Sequence, residues 1–170
     1  LLAVSDASEI VGHEAVESWD SDSRALYDIT SEERVIEAKA TSSDPEHVWI
    51  SDPHQLDFTI HKQIILSVTR LNKSPEGRTM PQIVDEIISS MSPESQSEIR
   101  IMLITQGYAE ELRTRFISKW VIHGTRYIPI TQESPVLPCS IFEDKPDQVD
   151  RVKYRLATAD MESVELSDCL

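Results

Sequence analysis

The hydrophobic pattern of the chain is clearest in its middle third, where apolar positions recur at helical spacing. One stripe predicts a helix over Met80–Met91, with Thr79 as its N-cap and Pro81 in its first turn. A second helix is predicted over Glu94–Gln106, ended by Gly107. The first stripe consists of Ile83, Val84, Ile87, Ile88 and Met91.

Two stretches support both a strand and a helix. From Leu56 to Val68 the apolar residues fall on alternate positions, but Ile60, Ile64, Val68 and Leu71 also form a helical stripe. Leu112–Trp120 has apolar residues four apart and also alternates polar and apolar positions. Periodicity alone leaves both stretches open.

The remaining elements are weaker or shorter. Ser5–Trp19 predicts a weak helix, and a capping-box spacing at Thr30–Glu33 predicts a short helix over "SEERVIEAKA". Lys73–Arg78 ("KSPEGR") has the composition of a turn, and Arg151–Thr158 alternates as a strand does.

Charge divides the chain into unequal parts. The 170 residues carry a net charge of −14, and residues 1–58 hold 14 acids against 3 bases, whereas residues 59–130 hold 7 acids and 9 bases. We therefore expect residues 1–45 to be an acidic, mobile arm, residues 46–160 to be the globular domain, and residues 161–170 to be an acidic tail.

The sequence shows no motif for catalysis or metal binding. It has two cysteines, four glycines, no phosphate-binding loop and no nucleophile elbow. No apolar run approaches the roughly 20 residues that span a bilayer. We expect a non-enzymatic protein with no catalytic residues, no metal and no cofactor.

Two surfaces are candidates for binding. The first is an apolar triplet in a polar stretch, which either docks onto another copy of the chain or a partner, or folds back onto its own core. Docking would give self-association through Val48, Trp49, Ile50, Asp52 and Pro53. The second is a basic set in the middle of an acidic chain, which is either an ordinary polar sheet face or a contact with an anionic membrane surface or a nucleocapsid. It comprises Lys62, Arg70, Lys73, Arg78, Arg113, Arg115, Lys119 and Arg126.

Several short motifs occur in the same order as in the matrix proteins of rhabdoviruses, which the chain resembles over residues 52–129. "DPHQL" (52–56) resembles a vesiculovirus "DPNQL", and "SVTRLNKSP" (67–75) resembles "TVRSNRP". "LRTRFISKW" (112–120) is similar to a lyssavirus "LRRTFIFQW", and "GTRYIP" (124–129) is similar to "GRAYLP".

The resemblance implies an α+β fold, a single small domain in which a twisted sheet packs on two or three helices. Phe58–Arg70 and Leu112–Trp120 would both be strands. It implies a structural protein of the virion that self-associates, bridges the viral nucleocapsid and the anionic membrane, contacts host factors, and drives assembly and budding, without direct sequence-specific binding of nucleic acid. Its location would be beneath the viral envelope, in the host cytoplasm, at the inner face of host membranes and in the nucleus.

A winged-helix protein-interaction domain is the alternative. In that fold Phe58–Asn72 would be the first helix and Phe116–Ile130 a β wing. The conformation of residues 58–70 separates the two hypotheses.

Overall fold

The computed structural model describes residues 1–20, 25–59, 63–137, 139–142, 148–149 and 151–170. Its helices are α1 (Leu2–Val11), α2 (Glu14–Glu17), α3 (Met80–Ser90) and α4 (Pro93–Thr105). Its strands are β1 (Ile29–Thr30), β2 (Arg34–Thr41), β3 (His47–Ile50), β4 (Gln63–Thr79), β5 (Lys119–Ile130) and β6 (Tyr154–Ala157). Short 3₁₀ helices cover Pro53–Leu56, Glu110–Arg115, Cys139–Phe142 and Leu166–Asp168.

The strands form one mixed sheet and one small sheet. The main sheet has the order β1-β2-β4-β5, in which β2 and β4 are parallel and the outer pairs are antiparallel. β3 and β6 pair antiparallel in the second sheet. The predicted α+β fold class is therefore confirmed.

Both faces of the main sheet are covered, and each has its own hydrophobic core. On one face, Ile36 and Ile65 pack with the helices, where Val84, Ile88 and Ile99 are buried. On the other face, the second core lies beneath the small sheet and the 3₁₀ helix Pro53–Leu56. It includes Val35, Ile64, Leu66, Val68, Val48, Ile50 and Leu156.

The predicted short helix over residues 31–40 is wrong, because this stretch is the central strand β2. Val35 and Ile36 are both buried, one in each core, as happens only where a strand has cover on both faces. Such a strand lacks the alternation that identifies a half-exposed one. Parallel pairing with β4 along its whole length fixes its position.

The expected strand over Phe58–Arg70 is found in part. Residues 60–62 lie outside the described part of the chain, Phe58 and Thr59 form a turn, and β4 begins at Gln63. This strand excludes the first helix of the winged-helix alternative. The turn expected at residues 73–78 is instead a bulge within β4, where Lys73 and Arg78 both pair with Trp120 of β5.

The expected strand over Leu112–Trp120 is a 3₁₀ helix followed by the start of β5. Residues 110–115 form the 3₁₀ helix, and pairing with β4 begins only at Lys119. The helices predicted over residues 80–91 and 94–106 are confirmed as α3 and α4. Thr79 caps α3 through a capping box with Gln82, and Ser92 caps α4.

The two ends of the chain belong to the folded unit. Residues 1–45, expected as a mobile arm, contribute α1, α2, β1 and β2, and bury Val4 and Val16. In the expected acidic tail, Leu166 and Cys169 are buried and Val164 bridges to Tyr127 of β5. Val4, Val16, Leu166 and Cys169 all pack into the helical core.

Candidate functional site

A polar cluster lies in the middle of the main sheet, on the face that carries the second core. Glu37 of β2 is only 3% exposed, although it is an acidic residue. Apolar residues of both cores flank it on the strand. Lys39 lies two residues further along the same strand and therefore on the same face. A buried carboxylate and an ammonium group thus stand side by side on the central strand.

The β1–β2 hairpin brings a second carboxylate to the cluster. Ile29 pairs with Ile36, so Asp28 lies opposite Glu37 in the continuation of the hairpin. Asp28 Oδ2 accepts a hydrogen bond from the backbone N–H of Ala38 at 2.7 Å. This bond fixes the Asp28 carboxylate beside β2.

The 3₁₀ helix after β3 supplies an amide. Gln55 Nε2 donates to Glu37 Oε1 at 2.7 Å, and Lys39 Nζ donates to the same oxygen. Gln55 Oε1 accepts from the backbone N–H of Ser51 at 3.2 Å and from that of Asp52 at 3.3 Å. The Gln55 side chain is therefore oriented by the backbone before it reaches Glu37.

Burial dominates the electrostatics of Glu37. Removal from water raises the pKa of the Glu37 carboxyl to about 7, the ammonium group of Lys39 opposes this rise, and the negative charge of Asp28 adds to it. A carboxyl whose pKa is perturbed by burial and by a specific partner is a signal of a functional site.

The cluster opens onto a polar cavity of about 220 Å³. Asp28, Glu37 and Gln55 contribute to its wall, together with Tyr27 and Gln106. The hydroxyl of Tyr27 donates to the carbonyl of His54 at 3.0 Å, and burial raises the Tyr27 pKa to about 12. The cavity admits small polar groups to two carboxylates.

The donor set suits a hard divalent cation. Mg²⁺ is commonly held by one or two carboxylates, with water and substrate phosphates completing its shell. Asp28 and Glu37 meet this requirement because they are close enough for one to raise the pKa of the other. Among the described residues, no group of three or more His, Cys, Asp or Glu side chains forms a preassembled metal site.

Comparison with known proteins identifies the family. A family model described as "Putative PD-(D/E)XK family member, (DUF4420)" matches residues 4–159, which is most of the chain. The chain belongs to the DUF4420 family. Glu37-Ala38-Lys39 has the residue order of the (D/E)XK part of the printed pattern, and Asp28 lies nine residues upstream, preceded by Tyr27 and not by a proline. No curated protein and no solved structure showed significant similarity to the chain.

Membership of DUF4420 corrects the functional hypothesis. The matrix-protein resemblance, the structural role in a virion, and the expectation of a non-enzymatic protein are wrong, since the match points to a PD-(D/E)XK domain. The motifs behind that resemblance are short loop and strand segments, which occur in unrelated folds. None of them includes Asp28, Glu37 or Lys39.

The residues predicted for self-association lie on β3 and the following 3₁₀ helix. Val48 and Ile50 are buried in the second core, whereas Trp49 is 56% exposed on the opposite face. Asp52 Oδ1 caps the 3₁₀ helix by accepting from the His54 N–H at 3.0 Å, and Pro53 is buried in its first turn. Only Trp49 therefore offers an apolar surface to a partner.

Most members of the predicted basic set that the structure describes are in contact with other groups of the chain. Four members have acidic partners: Arg70 with Asp44, Arg78 with Glu86, Arg113 with Asp85, and Arg126 with Glu46. Lys73 lies over the Trp120 ring, and Lys119 donates to the Pro75 carbonyl at 3.3 Å. Arg115 is exposed, and Lys62 lies outside the described residues.

One ion pair of this set is well defined. Arg113 Nη1 donates to Asp85 Oδ1 at 2.8 Å, and this bonding lowers the pKa of Asp85. The pair joins α3 to the 3₁₀ helix Glu110–Arg115, so Arg113 serves the fold. No helix among the described residues is long and apolar enough to cross a membrane.

Sequence reasoning missed Asp28, Glu37, Lys39 and Gln55. The available signal was an acid followed two residues later by a lysine, directly after two β-branched residues, with an aspartate nine positions upstream. Because this stretch was predicted to be a helix, Glu37 and Lys39 were expected on different faces, and their proximity was not recognised.

Proposed function

We propose that this protein is a cation-dependent phosphodiesterase that cleaves nucleic acid at the cluster of Asp28, Glu37 and Lys39. The observation that carries the proposal is a pair of carboxylates that line one cavity, one of them bonded to an ammonium group, in a chain whose family is described by the PD-(D/E)XK pattern. Hydrolysis adds water to phosphorus, breaks one P–O ester bond and transfers a proton to the leaving oxygen.

Each side chain has a role in this scheme. Asp28 and Glu37 would hold the cation, which when bound stabilises negative charge on the phosphoryl oxygens and lowers the pKa of a coordinated water. The Lys39 ammonium group would neutralise charge that develops on the phosphate. Gln55 would keep the Glu37 carboxylate in one orientation through the 2.7 Å hydrogen bond.

The test is cleavage of labelled single- and double-stranded DNA and RNA by the full chain, with Mg²⁺ or Mn²⁺ and with a chelator. We expect cation-dependent cleavage that Glu37→Gln and Lys39→Ala each reduce by at least about 100-fold, a loss typical of removing one charge-stabilising group. Asp28→Asn should have a similar effect.

Glu33→Gln is the matched control, because Glu33 is exposed and lies four residues from Glu37. It should cleave as the wild type does. Cleavage that survives Glu37→Gln, or the absence of cleavage with every cation and substrate, would contradict the proposal.

A further inference from the structure

The small sheet exposes an aromatic ring on its outer face. Trp49 of β3 is 56% exposed and lies directly opposite Arg155 of β6. Lys153 Nζ lies 5.3 Å from the centroid of the Trp49 ring. We call the surface formed by Trp49, Arg151, Lys153 and Arg155 the Trp49 face.

Its three cations lie at alternate positions of one strand and its approach. Arg155 shares its side of the small sheet with Trp49, and Lys153 reaches the same ring from the segment before β6. Arg151, Lys153 and Arg155 are all exposed, and none forms an ion pair with an acid of the described residues. Arg151 is within electrostatic range of Asp52, whose carboxylate is already bonded to His54.

In this respect the three cations differ from four arginines elsewhere in the described part of the chain. The chain has a net charge of −14, and four arginines elsewhere are paired with carboxylates. A row of three exposed cations that form no ion pair with the described acids is complementary to a polyanion.

The strand that carries the exposed Trp49 ring is anchored by the buried residues of its inner face. Val48, Ile50 and Leu156 on the inner face of the same sheet are buried in the second core. The outer face therefore presents a fixed aromatic plane between cations. Proteins that bind single-stranded nucleic acid combine these two elements, since bases stack on the ring and phosphates contact the cations.

We propose that the Trp49 face binds single-stranded nucleic acid, with a base stacked on Trp49 and the backbone held by Arg151, Lys153 and Arg155. This inference rests on the proposed function, which makes nucleic acid the substrate. The chain runs from Trp49, on the outer face, to Gln55, which bonds to Glu37. A nucleic-acid strand bound at the Trp49 face would therefore contact the segment that supports the proposed catalytic cluster.

The experiment measures binding apart from cleavage. A fluorescein-labelled oligothymidylate of roughly 10 nucleotides, within the usual range of site sizes, is titrated with the full chain in chelator, and anisotropy is recorded at several salt concentrations. Three phosphate contacts predict a slope of about −2 for log K against log salt, and Lys153→Ala should make it shallower by about 0.7.

Stacking is tested with two substitutions at one position. Trp49→Ala should weaken binding by between roughly 5-fold and 100-fold, whereas Trp49→Phe should retain most of it, because phenylalanine still stacks. Trp120→Phe is the matched control, since Trp120 also has a lysine over its ring at 5.2 Å but lies on β5. Arg100→Ala, on exposed α4 surface, is the charge control.

The outcomes separate this inference from the proposed function. Wild-type protein that does not bind the oligonucleotide, or Trp49→Ala and Lys153→Ala variants that bind as tightly as wild type, would overturn the inference even if cleavage is observed. Binding that depends on Trp49 without cleavage by any cation would contradict only the proposed function. If Trp49→Ala converts a dimer to a monomer in sedimentation and leaves binding unchanged, the face is a contact between copies.

Discussion

At Glu37, the carboxyl group that the proposed function requires lowers the stability of the fold, because it is buried. Glu37 is buried at 3% exposure, yet it carries a carboxyl group, which folding removes from water. The hydrogen bonds from Gln55 and Lys39 offset part of that cost. A purely structural site would have an apolar residue here, since Val35 and Ile36 immediately before it are buried in the two cores.

The pH dependence of stability should show this cost. The Glu37 pKa is about 7 in the folded chain against an ordinary value of 4.5, so the folded state retains the proton over a range in which the unfolded state loses it. Wild-type stability should therefore fall relative to Glu37→Gln as the pH rises from about 4.5 to 7. The total change is about 3 kcal/mol.

Urea unfolding of both proteins in chelator, at pH values from 4.5 to 8, gives this difference. A constant difference across the range would mean that Glu37 is ionised in the folded chain at a normal pKa. Glu33→Gln, at an exposed position, should show no such trend.

At the level of elements, the sequence identified those with a single buried face. α3 and α4 were predictable because an apolar stripe and a capping residue coincide at each. β2 was not, because it is covered on both sides and its eight residues give no alternation. The polar cluster was missed for the same reason, since Asp28 comes to lie opposite Glu37 only once the β1–β2 hairpin is formed.

The bulge in β4 depends on one close approach between strands. A Cβ atom at Gly77 would lie 2.4 Å from the carbonyl carbon of Trp120, closer than atoms can pack. We expect Gly77→Ala to push the bulge away from β5 and to lower the free energy of unfolding by roughly 1–3 kcal/mol. Urea unfolding followed by tryptophan fluorescence measures the loss.

Glu76→Ala is the control for this change, since Glu76 is exposed in the same bulge. It should change stability by no more than about 0.5 kcal/mol. An equally stable Gly77→Ala protein would show that the bulge can move without cost.

For the whole molecule, the main feature is that two hydrophobic cores share one sheet. Ile99 is fully buried in the helical core, and Leu156 is buried in the core beneath the small sheet. β2 and β4 contribute side chains to both. Neither core can lose its order without exposing a face of the same two strands.

We therefore expect a single unfolding transition for the chain. Ile99→Ala and Leu156→Ala should each destabilise it by about 2–5 kcal/mol, and each should shift circular dichroism and tryptophan fluorescence together. Two separate transitions in either variant would indicate that the cores unfold independently.

The connection between the parallel strands β2 and β4 has a consequence for sequence variation. It contains β3 and the 3₁₀ helix Pro53–Leu56, so the number of residues between Ile50 and Gln55 sets where the amide meets the carboxylate. An insertion or deletion of one residue there would turn Gln55 away from its partner. Divergence in length is expected elsewhere, at the exposed ends of hairpins, and this short span is expected to keep its length.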